Sequence, residues 1–384
     1  MSHRTVLVFM EYGWRNGGEN SFLAVVKAMP ADQFRFVIAC PGETELATHL
    51  NSINVQHIDW NVFDLNHVRK SQPEIRAEIA TLISDVQPDL VHCNSLSTSR
   101  LVGPVSCQLK VPAIGYIRDI LKLSKRAKED INQLDSIVAV SQATADFHAA
   151  EGIASDKLQV LFNGVDLQQF RPRSKTGYLH TELNAANELR WICCIGQIGM
   201  RKGTETVIRA FVELMKQFDD IALLLIGIRN SKKDEAIAFE QQCHEIGKFP
   251  ETQQRLFWLG RRTDVAELLN ESTLLLHGAR QEPLGRVLLE AMATGCPFVA
   301  TKAGGTEEIV AGLDQFPVTC SIDETDDMAA QATQLLGSSS LHQATSDAFR
   351  KLAADRFNIM DCVRKLAKLY MNILPPTVAD HRPS

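Results

Sequence analysis

The sequence predicts an α/β protein of two doubly wound, parallel-sheet domains, and three observations predict it. Short apolar runs alternate with longer stretches of helical periodicity; a polar stretch interrupts the alternation near the middle of the chain; the alternation then restarts. Strand and helix patterns that alternate in this way signal parallel strands joined by crossover helices. A chain of 384 residues has room for about two such domains.

Taken in order, the first part of the chain offers strands over residues 5–10, 34–39, 90–93, 113–117, 136–140 and 158–162. Between them, Phe22, Val25, Val26 and Met29 recur at helical spacing. The stretch from Asp166 to Arg190 is polar, contains Pro172, Lys175 and Gly177, and reads as an interdomain linker. Strands follow over residues 191–195, 222–226, 255–258, 274–277 and 298–301, with helices over 204–216 and 286–293. An amphipathic stretch at 359–373 precedes a Pro-containing tail expected to be loose. The domains are therefore expected at 1–168 and 169–356, with a terminal segment at 357–384. Two doubly wound domains place a ligand cleft between them, near the carboxyl ends of both sheets. That pattern does not separate a transferase from a dehydrogenase or a binding protein.

Composition narrows the classes. Hydrophobic residues make up 45% and charged residues 22%, the balance of a globular protein. A net charge of −6 argues against a general nucleic-acid binder. No run of apolar residues reaches membrane-spanning length. The apolar run from Thr5 to Met10 is too short for a signal-peptide core and is broken by Glu11. A cytoplasmic protein is expected. Nine cysteines, with no C-x-x-C and no zinc-like spacing, read as buried reduced thiols, the adjacent Cys193 and Cys194 among them.

Three segments carry chemistry. In Glu282-Pro-Leu-Gly-Arg-Val-Leu-Leu-Glu290, a loop leads from a strand into a helix. Helix N-termini offer unpaired N–H groups to phosphate, and Gly285 lets the backbone come close to an anion. By themselves, the two glutamates read as a capped helix with an acid on each side. In Gly196-Gln-Ile-Gly-Met-Arg-Lys-Gly203, Arg201 and Lys202 precede a helix start. Fixed cations there would stabilise a departing diphosphate; alone, the pair reads as a solvated basic turn. In Gly13-Trp-Arg-Asn-Gly17-Gly18-Glu19-Asn20, the paired glycines again open a helix.

The combination resembles the retaining, nucleotide-sugar-dependent glycosyltransferases of family 4 and GT-B fold. Glu282 and Glu290 fit the E-x7-E spacing, and Ala291-Met-Ala-Thr-Gly-Cys-Pro297 fits its continuation. Gly304-Gly-Thr-Glu-Glu-Ile-Val310 matches a further family segment. Ser136-Ile-Val-Ala-Val-Ser141 and Asn163-Gly-Val-Asp166 are similar to a strand and a turn of the first domain. The resemblance implies two Rossmann-like domains facing across a cleft. Lys202 and Arg201 would stabilise the diphosphate, Glu282 would orient the donor sugar and Glu290 would bind the ribose. Gly17, Gly18, Gly196, Gln197, Leu284, Gly285 and Arg286 would line the nucleotide-sugar site. The implied donor is a UDP- or GDP-sugar, and the implied acceptor is a saccharide, lipid-linked or small-molecule hydroxyl. The helix at 359–373 would cross back onto the first domain.

Departures from the family accompany the match. Gln197 stands where the family has an arginine, which leaves Arg201 to compensate. Residues 276–278 replace a common Pro-Ser. Tyr116-Ile-Arg118-Asp119 carries no histidine where many members have one near the reacting sugar, so Arg118 or Asp119 is a candidate for the acceptor side. His92 lies in an apolar strand run and reads as a structural histidine. No D-x-D occurs, and the acidic run 323–327 reads as a solvated helix entry, so metal-independent chemistry without a cofactor is expected. Arg118, Lys122, Lys125, Arg126 and Lys128 are expected on one helix, either as a solvated face or as a peripheral contact with the inner membrane face. Three other readings stay open: a catalytically silent partner subunit, a sugar-nucleotide epimerase or hydrolase, and a nicotinamide oxidoreductase. The last is disfavoured by the missing G-x-G-x-x-G.

Overall fold

The computed structural model describes residues 3–248, 252 and 254–375. The chain packs as two compact units. The first takes the chain up to Gly164 and again from Ile359, and the second is Val165–Asn358.

Seven parallel strands form the sheet of the first unit: β1 (Arg4–Phe9), β2 (Phe34–Cys40), β3 (Gln56–Asp59), β4 (Leu90–Cys93), β5 (Ala113–Ile117), β6 (Ser136–Ala139) and β7 (Leu158–Val160). Their order is β3-β2-β1-β4-β5-β6-β7. Val6 to Phe9, Val37 to Ala39, and Leu90 and Val91 are wholly or almost wholly buried, because crossover helices cover both faces. The six strands read from the sequence are all present. β3 is the addition: it reads Gln-His-Ile-Asp at a half-exposed edge and has no apolar run to mark it.

The helix Ile359–Ile373 packs on the helix Gly17–Ala28 within this unit. Its Tyr370 is fully buried, lies edge-on to Phe34 and hydrogen-bonds His92 Nδ1 through its hydroxyl at 2.9 Å. His92 Nε2 has no hydrogen-bond partner among the described residues.

The second unit carries β8 (Arg190–Ile195), β9 (Ile221–Ile226), β10 (Leu256–Gly260), β11 (Ser272–His277), β12 (Phe298–Thr301) and β13 (Thr319–Cys320). All pair in parallel, in the order β10-β9-β8-β11-β12-β13. Val207, Ile208, Phe211 and Leu214 of the helix Thr204–Met215 share a core with Ile221, Leu223 and Leu225 of β9. Five strands match the sequence reading. β13, two residues long, is too short to show in a periodicity. In each sheet the strand order reverses beside the first strand, between β1 and β4 and between β8 and β11. Connections leave in opposite directions there and open a crevice at the carboxyl edge.

Three expectations need correction. The polar stretch 166–190 is not a free linker. It docks on the second unit, where the buried carboxylate of Glu271 accepts hydrogen bonds from Thr176 N, Thr176 Oγ1 and Gly177 N, and it contains the short helix Tyr178–Glu182. The five cations do not share a helix. The helix starts only at Lys125, capped by Ser124, while Arg118 directly follows β5. Arg118 is turned inward: its guanidinium lies 3.8 Å over the Tyr116 ring and donates to Asn94 Oδ1 and Asn163 Oδ1. The acidic run does enter a helix, Thr325–Gly337, with Asp323, Glu324 and Asp326 exposed as expected, Asp323 pairing with Arg280 and Asp327 accepting from Ser321 N. Of the cysteines, all nine unbridged, Cys107 is exposed rather than buried. No helix among the described residues is long and apolar enough to cross a membrane. The tail beyond residue 375 lies outside the described residues.

Candidate active site

At the strand-order reversal of the second sheet, two loops leave neighbouring strands. One follows β8 over residues 196–203, and the other follows β11 over 278–285. The first passes through a single 3-10 turn, Met200–Lys202, and ends at Gly203 with φ 57°. A Cβ on Gly203 would stand 1.9 Å from the Gly278 carbonyl oxygen. The loops therefore cross closely only because that residue is glycine. Arg280 braces the crossing: it pairs with Glu205, reaches Asp323 at 2.7 Å and donates to Met200 O at 2.6 Å.

The crossing sets Lys202 against Glu282. Lys202 Nζ bonds Glu282 Oε2, and His277 Nε2 lies 2.8 Å from the same oxygen. Glu282 is 5% and His277 3% exposed. Burial opposes the carboxylate charge, but Lys202 beside it and the hydrogen bonds from His277 and Lys202 carry Glu282 well below the usual carboxylate range. Burial lowers the His277 imidazole, and the charges of Lys202 and Arg201 lower it further against the pull of Glu282. An ionised carboxylate only accepts, so His277 donates to it from Nε2. Arg201 is exposed, with Nη1 3.3 Å from Gln281 O.

Gly196, Gln197, Lys202, Thr204, Cys194 and His277 line one small pocket. Glu282 reaches it through its bonds to Lys202 and His277. Past the crossing, Leu284 is buried and Gly285 (φ 96°) starts the helix Arg286–Thr294 without a side-chain cap. The first N–H groups of that helix are thus left for a ligand or solvent. Arg286 Nε pairs with Glu290 Oε1 at 2.8 Å, yet burial still raises the Glu290 carboxyl.

Gly17 and Gly18 belong to the first unit and open the helix Gly17–Ala28. Glu19 closes a capping box there by accepting from Asn16 N at 3.1 Å. Gly18 packs against Arg118, whose Cδ would stand 3.1 Å from an added Cβ. The sequence reading passed over His277 and Arg280. Residues 276–278 were noticed only as a departure from a pattern, and nothing in the spacing marked that histidine as a partner of Glu282.

The family model for glycosyltransferase family 4 matches residues 15–169, and that for glycosyl transferases group 1 matches residues 179–352. The N-acetyl-alpha-D-glucosaminyl L-malate synthase of Bacillus anthracis is 28% identical over 245 residues, 64% of this chain and 61% of that protein. The chain thus spans about three-fifths of that relative. The lipopolysaccharide core biosynthesis mannosyltransferase LpsB of Rhizobium meliloti is 23% identical over 279 residues, 69% of this chain and 77% of that protein. Among solved structures, Anabaena HepE in complex with UDP and glucose is similar in fold (TM-score 0.83) at 18% identity, covering 95% of this chain and 99% of that one. Sucrose-phosphate synthase from Thermosynechococcus elongatus gives a TM-score of 0.78 at 16% identity, covering 96% and 98%.

Proposed function

Because the chain belongs to the GT-B glycosyltransferases of family 4, we propose that it moves a sugar from a nucleotide-diphospho-sugar to an acceptor hydroxyl. The observation that carries this reading is the convergence of Lys202, Arg201 and the uncapped start of the helix Arg286–Thr294 around Glu282. Charge develops on the diphosphate as the glycosidic bond breaks. Cations and N–H groups fixed in advance stabilise it without reorganising.

In this reading the second unit holds the donor. Lys202 and Arg201 face the diphosphate, Glu282 orients the sugar, and Glu290 beside Arg286 accepts from ribose hydroxyls. Gly196, Gln197, Leu284 and Gly285 shape the surrounding backbone. Gly17 and Gly18 of the first unit open a helix whose N–H groups suit an anionic group of the acceptor. The donor is a UDP- or GDP-sugar; the UDP bound in the HepE crystals supports a nucleotide sugar of this class. Transfer retains the anomeric configuration, with the leaving phosphate taking the acceptor proton, and needs no metal.

Incubation with a panel of UDP- and GDP-sugars, with and without saccharide and hydroxy-acid acceptors, tests this. Nucleotide release that depends on an acceptor, persists in EDTA and gives an α-linked product from an α-linked donor is expected. Release without any acceptor would indicate a hydrolase. Activity lost in EDTA and restored by manganese would contradict metal independence.

A further inference from the structure

His277 has no part in the transfer chemistry outlined above, yet it is buried at the end of β11 with Nε2 on the very oxygen of Glu282 that Lys202 holds. In the transfer reading, Lys202 has to face the donor diphosphate. One ammonium then serves two anions, the incoming diphosphate and Glu282. If Lys202 turned away and nothing else held Glu282, a buried carboxylate would be left charged and unpaired, a costly state. We propose that His277 is the positioning residue that keeps Glu282 aimed and compensated when Lys202 leaves it for the diphosphate. The inference rests on the donor reading above.

The groups facing His277 come from three places. Glu282 comes from the loop after its own strand, and Lys202 and Arg201 come from the turn after β8. Cys194 of β8 lines the same pocket with its thiol pushed up, chiefly by burial, to about 12, so it stays neutral. Burial and the two cations keep the free imidazole neutral, while Glu282 pulls the other way. A diphosphate docking on Lys202 and Arg201 cancels the two opposing charges and leaves Glu282 in place. The imidazole's proton affinity then rises. Nδ1 takes one proton from the buffer, and the Nε2–H bond to Glu282 becomes an imidazolium–carboxylate pair. No other bond changes.

Calorimetric titration of the full chain with UDP and with GDP at pH 6.5, in two buffers of different ionisation enthalpy, reads the proton count. The terminal phosphate of either nucleotide also titrates near this pH, so the difference between variants reads the histidine. His277→Gln keeps a hydrogen bond to Glu282 but cannot take the proton, so the wild-type chain should take up a fraction of a proton more than it on binding. His277→Phe loses both functions and should bind about tenfold more weakly or worse. That loss should vanish in a Glu282→Gln background, where no buried charge is left to compensate. Equal uptake in wild type and His277→Gln, or wild-type affinity in His277→Phe, overturns the inference and leaves the donor reading intact. Failure of the wild-type chain to bind any nucleoside diphosphate overturns both.

Discussion

Lys202 and Glu282 form a buried ion pair, with side-chain exposures of 18% and 7%. Such pairs add little over a well-packed apolar substitute, but breaking one from a single side is expensive, because the partner stays buried and charged. Lys202→Ala should therefore destabilise the chain by up to about 3–5 kcal/mol, less whatever the bond from His277 recovers. Adding Glu282→Gln to Lys202→Ala should return most of that loss. Urea unfolding of the wild-type chain and the two variants measures it, and a double variant no more stable than Lys202→Ala would show that the pair carries no such charge penalty. The two pair partners were legible in the sequence because each sits in a spaced motif at a helix start. His277 was not, since a single histidine at the end of an apolar strand looks the same whether it faces the core or a carboxylate.

At the scale of elements, the most explicit patterns in the sequence were the long ones. Eleven strands and the helix Ile359–Ile373 show as apolar runs or helical stripes because each buries a continuous face. β3 and β13 escape notice: one is polar and half-exposed, the other two residues long, so neither leaves a periodic trace. The polar stretch 166–190 was misread for a related reason, since it is held by the buried Glu271 carboxylate and not by an apolar face. The contact between β4 and the helix Ile359–Ile373 has its own acid sensitivity. Burial, aided by the Arg118 charge, takes His92 from 6.5 down to about 3. Its folded value lies below its unfolded one, so between those limits the unfolded chain binds more protons. Stability is full above about pH 6.5 and falls toward pH 3, by at most ~1.4 kcal/mol per pH unit from this group. His92→Gln should flatten that acid slope in denaturation series between pH 4 and 6.5. An unchanged slope would mean that His92 is not the group responsible.

At the scale of the whole molecule, the first unit is discontinuous in sequence. It is completed by a helix encoded after the entire second unit, with Tyr370 sealing over His92. Both units repeat one plan, in which the strand order reverses beside the first strand. Alternating patterns predict that plan, but they do not say which switch point carries chemistry. Side chains decide it, and the second unit concentrates them where β8 and β11 part. In the proposed reaction Lys202, held ready by Glu282, receives the donor diphosphate. Titration of the full chain with UDP and GDP, repeated with Lys202→Met, tests it most directly. One of the two nucleotides should bind the wild-type chain, and Lys202→Met should weaken it about ten- to a hundredfold, the worth of a charged hydrogen bond of ~1.5–3 kcal/mol. Equal affinity in wild type and Lys202→Met, or no binding of either nucleotide to the wild-type chain, would contradict it.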